Sequence, residues 1–395
     1  MLADRNFAPY FVGNFLSNCG TWLQNIAQAL LVYRLTGSTL AVGLVNFAQF
    51  AGVVVLAPWT GSAADRFDRR RLVIVNQLAA MLITGALALA AATGRATPGV
   101  AVGLALLLGF TTAFSSPALQ ALLPALVQPT ELSAAVTMNS VTFNLARAVG
   151  PAAGALIVDR LGIPWAFALN SLSYAALIAA LLVVRAVTRQ IAPAQRPRLR
   201  DSLAMVRRES HLALLLGAVG AASIAIDPVT TLSPAFATRG FHRQDTVAGY
   251  LVATFGLGAV AASLAPARAL DRPGRPPNLR PIAVPLLMLV AGMAGFALAS
   301  VLPVALTGLA IAGAGFLTAL TRATTLLQLA VDDRERGRVM ALWSVAFLGS
   351  RPLASLTDGA LATALGLRGA ALAMCLPSAV IGAVLLVRSS RKRKR

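Results

Sequence analysis

Lysine is almost missing from this 395-residue chain: Lys392 and Lys394, in the final run of basic residues, are the only two. A phosphate loop built on Gly-Lys-Ser/Thr has no place to form, which argues against a nucleotide-driven motor. Cysteine and histidine are equally scarce, with two of each. Cys19 and Cys375 lie inside apolar stretches and read as packing residues, so neither a disulfide framework nor a zinc site is expected. His211 and His242 fall at a helix start and in an outer loop, where they read as surface residues. A membrane-embedded enzyme would need a nucleophile, metal ligands or paired catalytic carboxylates, and none assembles from these positions. No short filter-like repeat suggests a channel. The expectation is a protein that is not an enzyme and carries no cofactor and no metal.

What the chain has in abundance is apolar sequence. It is 57% hydrophobic and only 12% charged, with a mean hydropathy of +0.74, which a water-facing surface would not tolerate. The apolar residues fall into runs of about 20, the length a helix needs to cross about 30 Å of hydrocarbon. Helices suit a chain that crosses repeatedly because each satisfies its own backbone. Spans are expected at 8–32, 40–59, 72–93, 100–119, 133–158, 164–184, 212–232, 246–267, 282–301, 303–329, 339–361 and 369–387. The first run is too long for a cleavable signal and reads as a signal anchor.

The formal net charge of +20 invites a nucleic-acid reading until its distribution is considered. Outside the spans, only Arg34, Arg95, Arg160, Arg239, Arg243 and Arg368 lie on one side, and every other Arg and Lys lies on the opposite side. The positive-inside rule then places both termini in the cytoplasm, with the lipid bilayer as a partner. Nucleic acid is not expected as a partner. The terminal Arg391-Lys392-Arg393-Lys394-Arg395 run reads as a topology anchor, with anionic lipid as a second reading.

The longest break, 185–211, is rich in Arg and Pro and divides the chain into 1–184 and 212–395, each with six spans. The halves echo one another at an offset of about 200 residues. Asp65-Arg66-Phe67-Asp68-Arg69 recurs as Asp271-Arg272-Pro273-Gly274-Arg275, Val127 and Glu131 as Val331 and Glu335, and Pro151 and Gly154 as Pro352 and Ser355. The expected fold is an all-α membrane protein with 12 transmembrane helices in two pseudo-symmetric six-helix bundles.

Polar residues inside spans mark the candidate transport site. Asn14, Asn18, Thr21 and Asn25 share one face of the first helix, Thr137, Ser140, Asn144 and Arg147 one face of the fifth, and Thr318, Thr321, Arg322, Thr325 and Gln328 one face of the tenth. Each stripe can line a cavity or simply hydrogen-bond to a neighbouring helix. Arg147 can bind an anionic substrate or hold a carboxylate. Asp227, followed by Pro228, is the leading candidate for a protonatable coupling group. Arg351 and Asp358, seven residues apart, face the same way and suit either a structural salt bridge or coupling.

The loop from Gly61 through Asp65, Arg66, Arg69 and Arg70 resembles the signature loop of the major facilitator superfamily, with Asp68 where the family has glycine. Gly150-Pro151-Ala152-Ala153-Gly154 is similar to the Gly-Pro-x-x-Gly element of the superfamily's exporters. Glycines four apart permit close helix packing, and the proline loosens the helix. With Asn144, Arg147, Asn170 to Tyr174, and Arg336-Gly337-Arg338-Val339, the chain looks like the branch containing the enterobactin exporter and the transmembrane secretion effectors. The resemblance implies a monomeric carrier working by alternating access, with the Gly61 to Arg70 loop latching the cytoplasmic side. It implies proton-coupled efflux of small, partly apolar molecules such as siderophores, antibiotics or toxic metabolites, with an importer or lipid transporter of the same fold as the runner-up.

Overall fold

The structure, a computed structural model, describes residues 6–184, 210–264, 279–331 and 333–391. Among these, every long element is a helix, and ten helices are long and apolar enough to cross a membrane. One of the ten is a 52-residue stretch, Arg338–Ser389, which if straight would extend about 78 Å. It is broken into two helices at Gly366, whose φ of 74° and ψ of 169° are non-helical, a conformation only glycine adopts readily. It therefore crosses twice. The twelfth crossing is the first helix, Phe7–Thr36, which carries Asn14, Asn18, Gln24, Asn25 and Gln28 along its length.

The chain divides into two compact units. The first, Met1–Pro193 with Arg243–Ala253, contains α1 (Phe7–Thr36), α2 (Thr39–Arg66), α3 (Arg69–Ala92), α4 (Pro98–Leu122), α5 (Leu132–Arg160) and α6 (Ile163–Val183). Local chemistry sets their ends. α1 stops at Gly37, left-handed at φ 63°, which returns its N–H to the Tyr33 carbonyl at 2.7 Å. Asp68 caps α3 by accepting from the Arg71 N–H at 2.7 Å, and Thr97 caps α4 by accepting from the Val100 N–H at 3.3 Å. The φ of Asp68 is −58°, so this turn makes no demand for the glycine found there in the superfamily.

Within this unit α1 packs on α5 and α6, α2 on α4, and α3 on α4 and α6. Gly150 and Gly154 lie against α1: a Cβ on Gly150 would fall 2.6 Å from the Trp22 Cβ, and one on Gly154 would fall 2.9 Å from the Leu23 carbonyl oxygen. Phe7, Tyr10, Val73, Leu122, Leu177 and Leu181 belong to one buried cluster near one end of the bundle. Large apolar side chains such as Leu82, Leu89 and Leu172 are exposed, which suits a surface facing lipid.

The second unit, Ala194–His242 with Thr254–Arg395, contains α7 (Ser210–Ala225), most of α8 (Val247–Leu264), α9 (Arg280–Leu298), α10 (Leu302–Leu329), α11 (Asp333–Leu348) and α12 (Ser350–Arg391). The expected seventh span at 212–232 is present, since His211–Thr231 is long and apolar enough to cross, but it is not one continuous helix. The helix breaks at Ile226 and Asp227 and resumes as two short pieces, Pro228–Thr231 and Ser233–Ala235, before a π-helical turn at Phe236–Gly240. Pro228 and Pro234 withhold the N–H groups that a continuous helix would use. The eleventh span is likewise two helices, α11 and the limb of α12 before Gly366, joined at Gly349. α7 packs on α10, α11 and α12, and α9 packs on α10 and α12. A ladder of aromatic rings runs from Phe255 to Phe316 (5.7 Å), Phe347 (6.3 Å) and Trp343 (5.1 Å).

The linker 185–209, the repeat at 271–275 and the tail 392–395 lie outside the described residues, as do the side chains of Gly61, Asp65, Arg66, Glu335 and Arg336.

Candidate functional site

The first unit holds a polar cavity of about 340 Å³, within the usual range for small-molecule sites. Its wall is built from the face of α1 that the four- and three-residue spacing marks: Asn14, Ser17, Asn18, Thr21, Gln24 and Asn25 all line it. α2 adds Gln49, α3 Gln77, α4 Thr111, Thr112, Ser115 and Ser116, α5 Asn139 and Phe143, and α6 Tyr174. Among the described residues no charged side chain lines it.

The carboxamides hold one another in place. Asn14 donates to the Asn139 carbonyl at 2.9 Å, joining α1 to α5. Asn18 donates to the Asn14 backbone carbonyl at 2.7 Å. Gln49 donates to Asn25 at 3.4 Å, joining α2 to α1. Below them, Gln24 accepts from Thr84 at 3.1 Å and from Asn170 at 2.5 Å, and Asn170 also donates to the Tyr174 hydroxyl at 3.3 Å. Such a network fixes rotamers without placing a charge in a low-dielectric wall.

Several residues singled out in the sequence stand elsewhere. Asn144 donates back to the Ser140 carbonyl of its own helix at 2.9 Å. Arg147 is buried with its guanidinium 5.4 Å from the centre of the Trp22 ring, a cation–π arrangement. Neither lines the cavity. Arg322 donates to the Pro281 carbonyl at 3.0 Å, fastening α10 to the start of α9. Of the signature loop, Arg70 donates to the Leu182 carbonyl at 2.8 Å, placing a cation at the C-terminal end of α6, where the helix dipole favours it.

The second unit buries charge. Asp227, 4% exposed, sits in the break after α7. Its Oδ1 accepts from Ser355 at 3.0 Å and its Oδ2 from Thr231 at 2.9 Å. Ser223, one turn earlier, donates to the Phe347 carbonyl at 2.7 Å beside the α11–α12 joint. Arg351, in the first turn of α12, has its guanidinium 5.5 Å from the centre of the Phe347 ring and is near enough for its charge to act on Asp227. Asp358 is fully buried, and neither of its oxygens has a hydrogen-bond partner among the described residues. The Arg351–Asp358 salt bridge that their spacing allows is therefore not formed. Seven residues put them about 10 Å apart along the axis, and Arg351 meets an acid from another element instead. Among the described residues no group of His, Cys, Asp and Glu could hold a metal ion.

Twelve crossings, a polar cavity inside one unit and buried acids beside an arginine inside the other are the features of a multi-pass membrane transporter. The chain belongs to the transmembrane secretion effector family of the major facilitator superfamily, whose family model matches residues 1–394. It is 28% identical over 166 residues to the Staphyloferrin A transporter of Staphylococcus aureus (strain NCTC 8325 / PS 47), a match covering 42% of each chain. It is 27% identical over 160 residues to an uncharacterized MFS-type transporter of Bacillus subtilis (strain 168), covering 40% of this chain and 36% of that one. Among solved structures, a bacterial homologue of the human lysosomal transporter Spinster superposes with a TM-score of 0.77 at 14% identity, covering 98% of this chain and 96% of that one. The nucleoside transporter NupG, as its D323A mutant, superposes with a TM-score of 0.77 at 12% identity, covering 96% and 99%. At these identities the two structures speak for the fold alone.

Proposed function

We propose that the chain is a proton-coupled exporter of small molecules in the bacterial inner membrane. It works by alternating access between six-helix bundles at 1–184 and 212–395, joined by a cytoplasmic linker at 185–211, with both termini in the cytoplasm. The observation that carries this reading is the cavity on the α1 stripe, a site large enough for a small solute and lined by convergent hydrogen-bonding groups. The Gly150-Pro151-x-x-Gly154 element on α5, against that same helix, supports efflux. The named cargo of the Staphylococcus relative supports a siderophore-type substrate. In this reading substrate sits among Asn14, Asn18 and Asn25, the Gly61 to Arg70 loop latches the cytoplasmic side during release, and the buried acids of the second unit take up the proton. The protein acts as a monomer.

The test is accumulation of ethidium, a panel of antibiotics and labelled siderophores in cells with and without this protein, each with and without a protonophore. Lower accumulation that the protonophore abolishes is expected. Higher accumulation, or no dependence on the gradient, would contradict the export reading and favour an importer or facilitator.

A further inference from the structure

Asp227, Asp358 and Arg351, which lie near one another in the second unit, are not equivalent. Both oxygens of Asp227 accept hydrogen bonds, from Ser355 and Thr231, and Arg351 supplies its counter-charge. Asp358 has neither. It is fully buried, and neither oxygen accepts from a donor among the described residues. The titratable groups that face it are Asp227, from the break after α7, and Cys375, from the limb of α12 after Gly366. Among the described residues, the other elements packed on α12 bring no cation to it: α9 has no ionisable residue at 281–298 and α7 has only His211, at its far end, while in the sequence α11 has its charged residues at 333–338 alone. A carboxylate in that position would stand beside a second carboxylate, undonated and out of water, which a low-dielectric interior tolerates least. A carboxylic acid removes the charge and leaves the Asp227–Arg351 balance intact.

We propose that Asp358 is the group that holds the transported proton, and that Asp227 is the fixed counter-charge of Arg351. This reverses the ranking suggested by the sequence, which puts Asp227 first. The step is a single proton adding to one carboxylate oxygen of Asp358, and release reverses it. Uptake takes the three side chains from one net negative charge to none, so the loaded cluster is neutral when water is excluded from it. The transport role rests on the proton-coupled reading above, whereas the protonated acid itself does not.

Infrared spectroscopy of the purified protein in lipid at neutral pH, in water and in heavy water, tests this directly. The wild type is expected to show the C=O stretch of a protonated carboxyl. Asp358→Asn should remove it, Asp227→Asn should retain it, and Asp358→Glu should shift it. A wild type without the band overturns the proposal, as does a band that survives Asp358→Asn, is unmoved by Asp358→Glu, or is lost in Asp227→Asn alone. Should Asp358→Asn fail to fold, the presence of the band and its response to Asp358→Glu decide the matter. The direction of transport does not affect this band, so failure of the export reading and failure of the Asp358 assignment are separate results.

Discussion

The two units bury polarity in opposite ways. The first lines a cavity with carboxamides and hydroxyls and, among the described residues, brings no charge to it, while the second encloses two carboxylates near one guanidinium. Neutral dipoles in a membrane bundle can satisfy one another, as Asn14 does with Asn139 and Gln24 with Asn170, and can exchange those partners for a ligand at little cost. Charges cannot be exchanged so cheaply, because removing one leaves the other stranded. On the function proposed above, the contrast suits a division of labour, with recognition in the first unit and energy coupling in the second.

The largest expected effect tests the charged side. Asp227→Ala leaves Arg351 without its counter-charge and strips the acceptor from Ser355 and Thr231, and is expected to cost about 3 kcal/mol or more. Thermal unfolding of the purified protein in detergent reads this loss. Combining Asp227→Asn with Arg351→Gln should recover part of the stability that Asp227→Asn alone loses, since the pair leaves together. On the neutral side, Gln24→Ala removes the acceptor shared by the buried Thr84 and Asn170. It should cost about 1–3 kcal/mol, measured the same way. Gly150→Ala places a methyl group 2.6 Å from the Trp22 Cβ and 2.9 Å from the Cys19 carbonyl. The forced separation of α1 and α5 should also cost about 1–3 kcal/mol and weaken substrate binding along the α1 stripe. The smallest effect belongs to Asp68→Ala, which removes the α3 cap at an exposed turn for about 1 kcal/mol, while Asp68→Gly should cost only a few tenths. Losses well above these in both variants would show that the aspartate does something other than cap.

The crossings and the α1 stripe were legible because each depends on spacing along a single helix: runs of apolar length for the spans, and steps of three and four for Asn14, Asn18, Thr21 and Asn25. The rest of the cavity was not. Gln49, Gln77 and Asn139 reach it from three other helices, and no periodicity links them to α1, although the Thr111-Thr112 and Ser115-Ser116 pairs on α4 were a visible signal. The same blindness affected the charges. Sequence spacing offered Asp358 as the neighbour of Arg351, but the break before Pro228 brings Asp227 to it instead. That break was marked by Pro228 and Pro234, yet an apolar run of spanning length concealed it.

The most direct measurement of the division of labour uses proteoliposomes and a substrate found by the accumulation screen, comparing flux driven by an imposed pH gradient with exchange at equal pH. Asn18→Ala is expected to raise the half-saturating concentration in both modes alike, whereas Asp358→Asn is expected to collapse the gradient-driven component far more than exchange. If Asp358→Asn lowers both modes equally, or Asn18→Ala alters only the response to the gradient, recognition and coupling are not divided between the two units in this way.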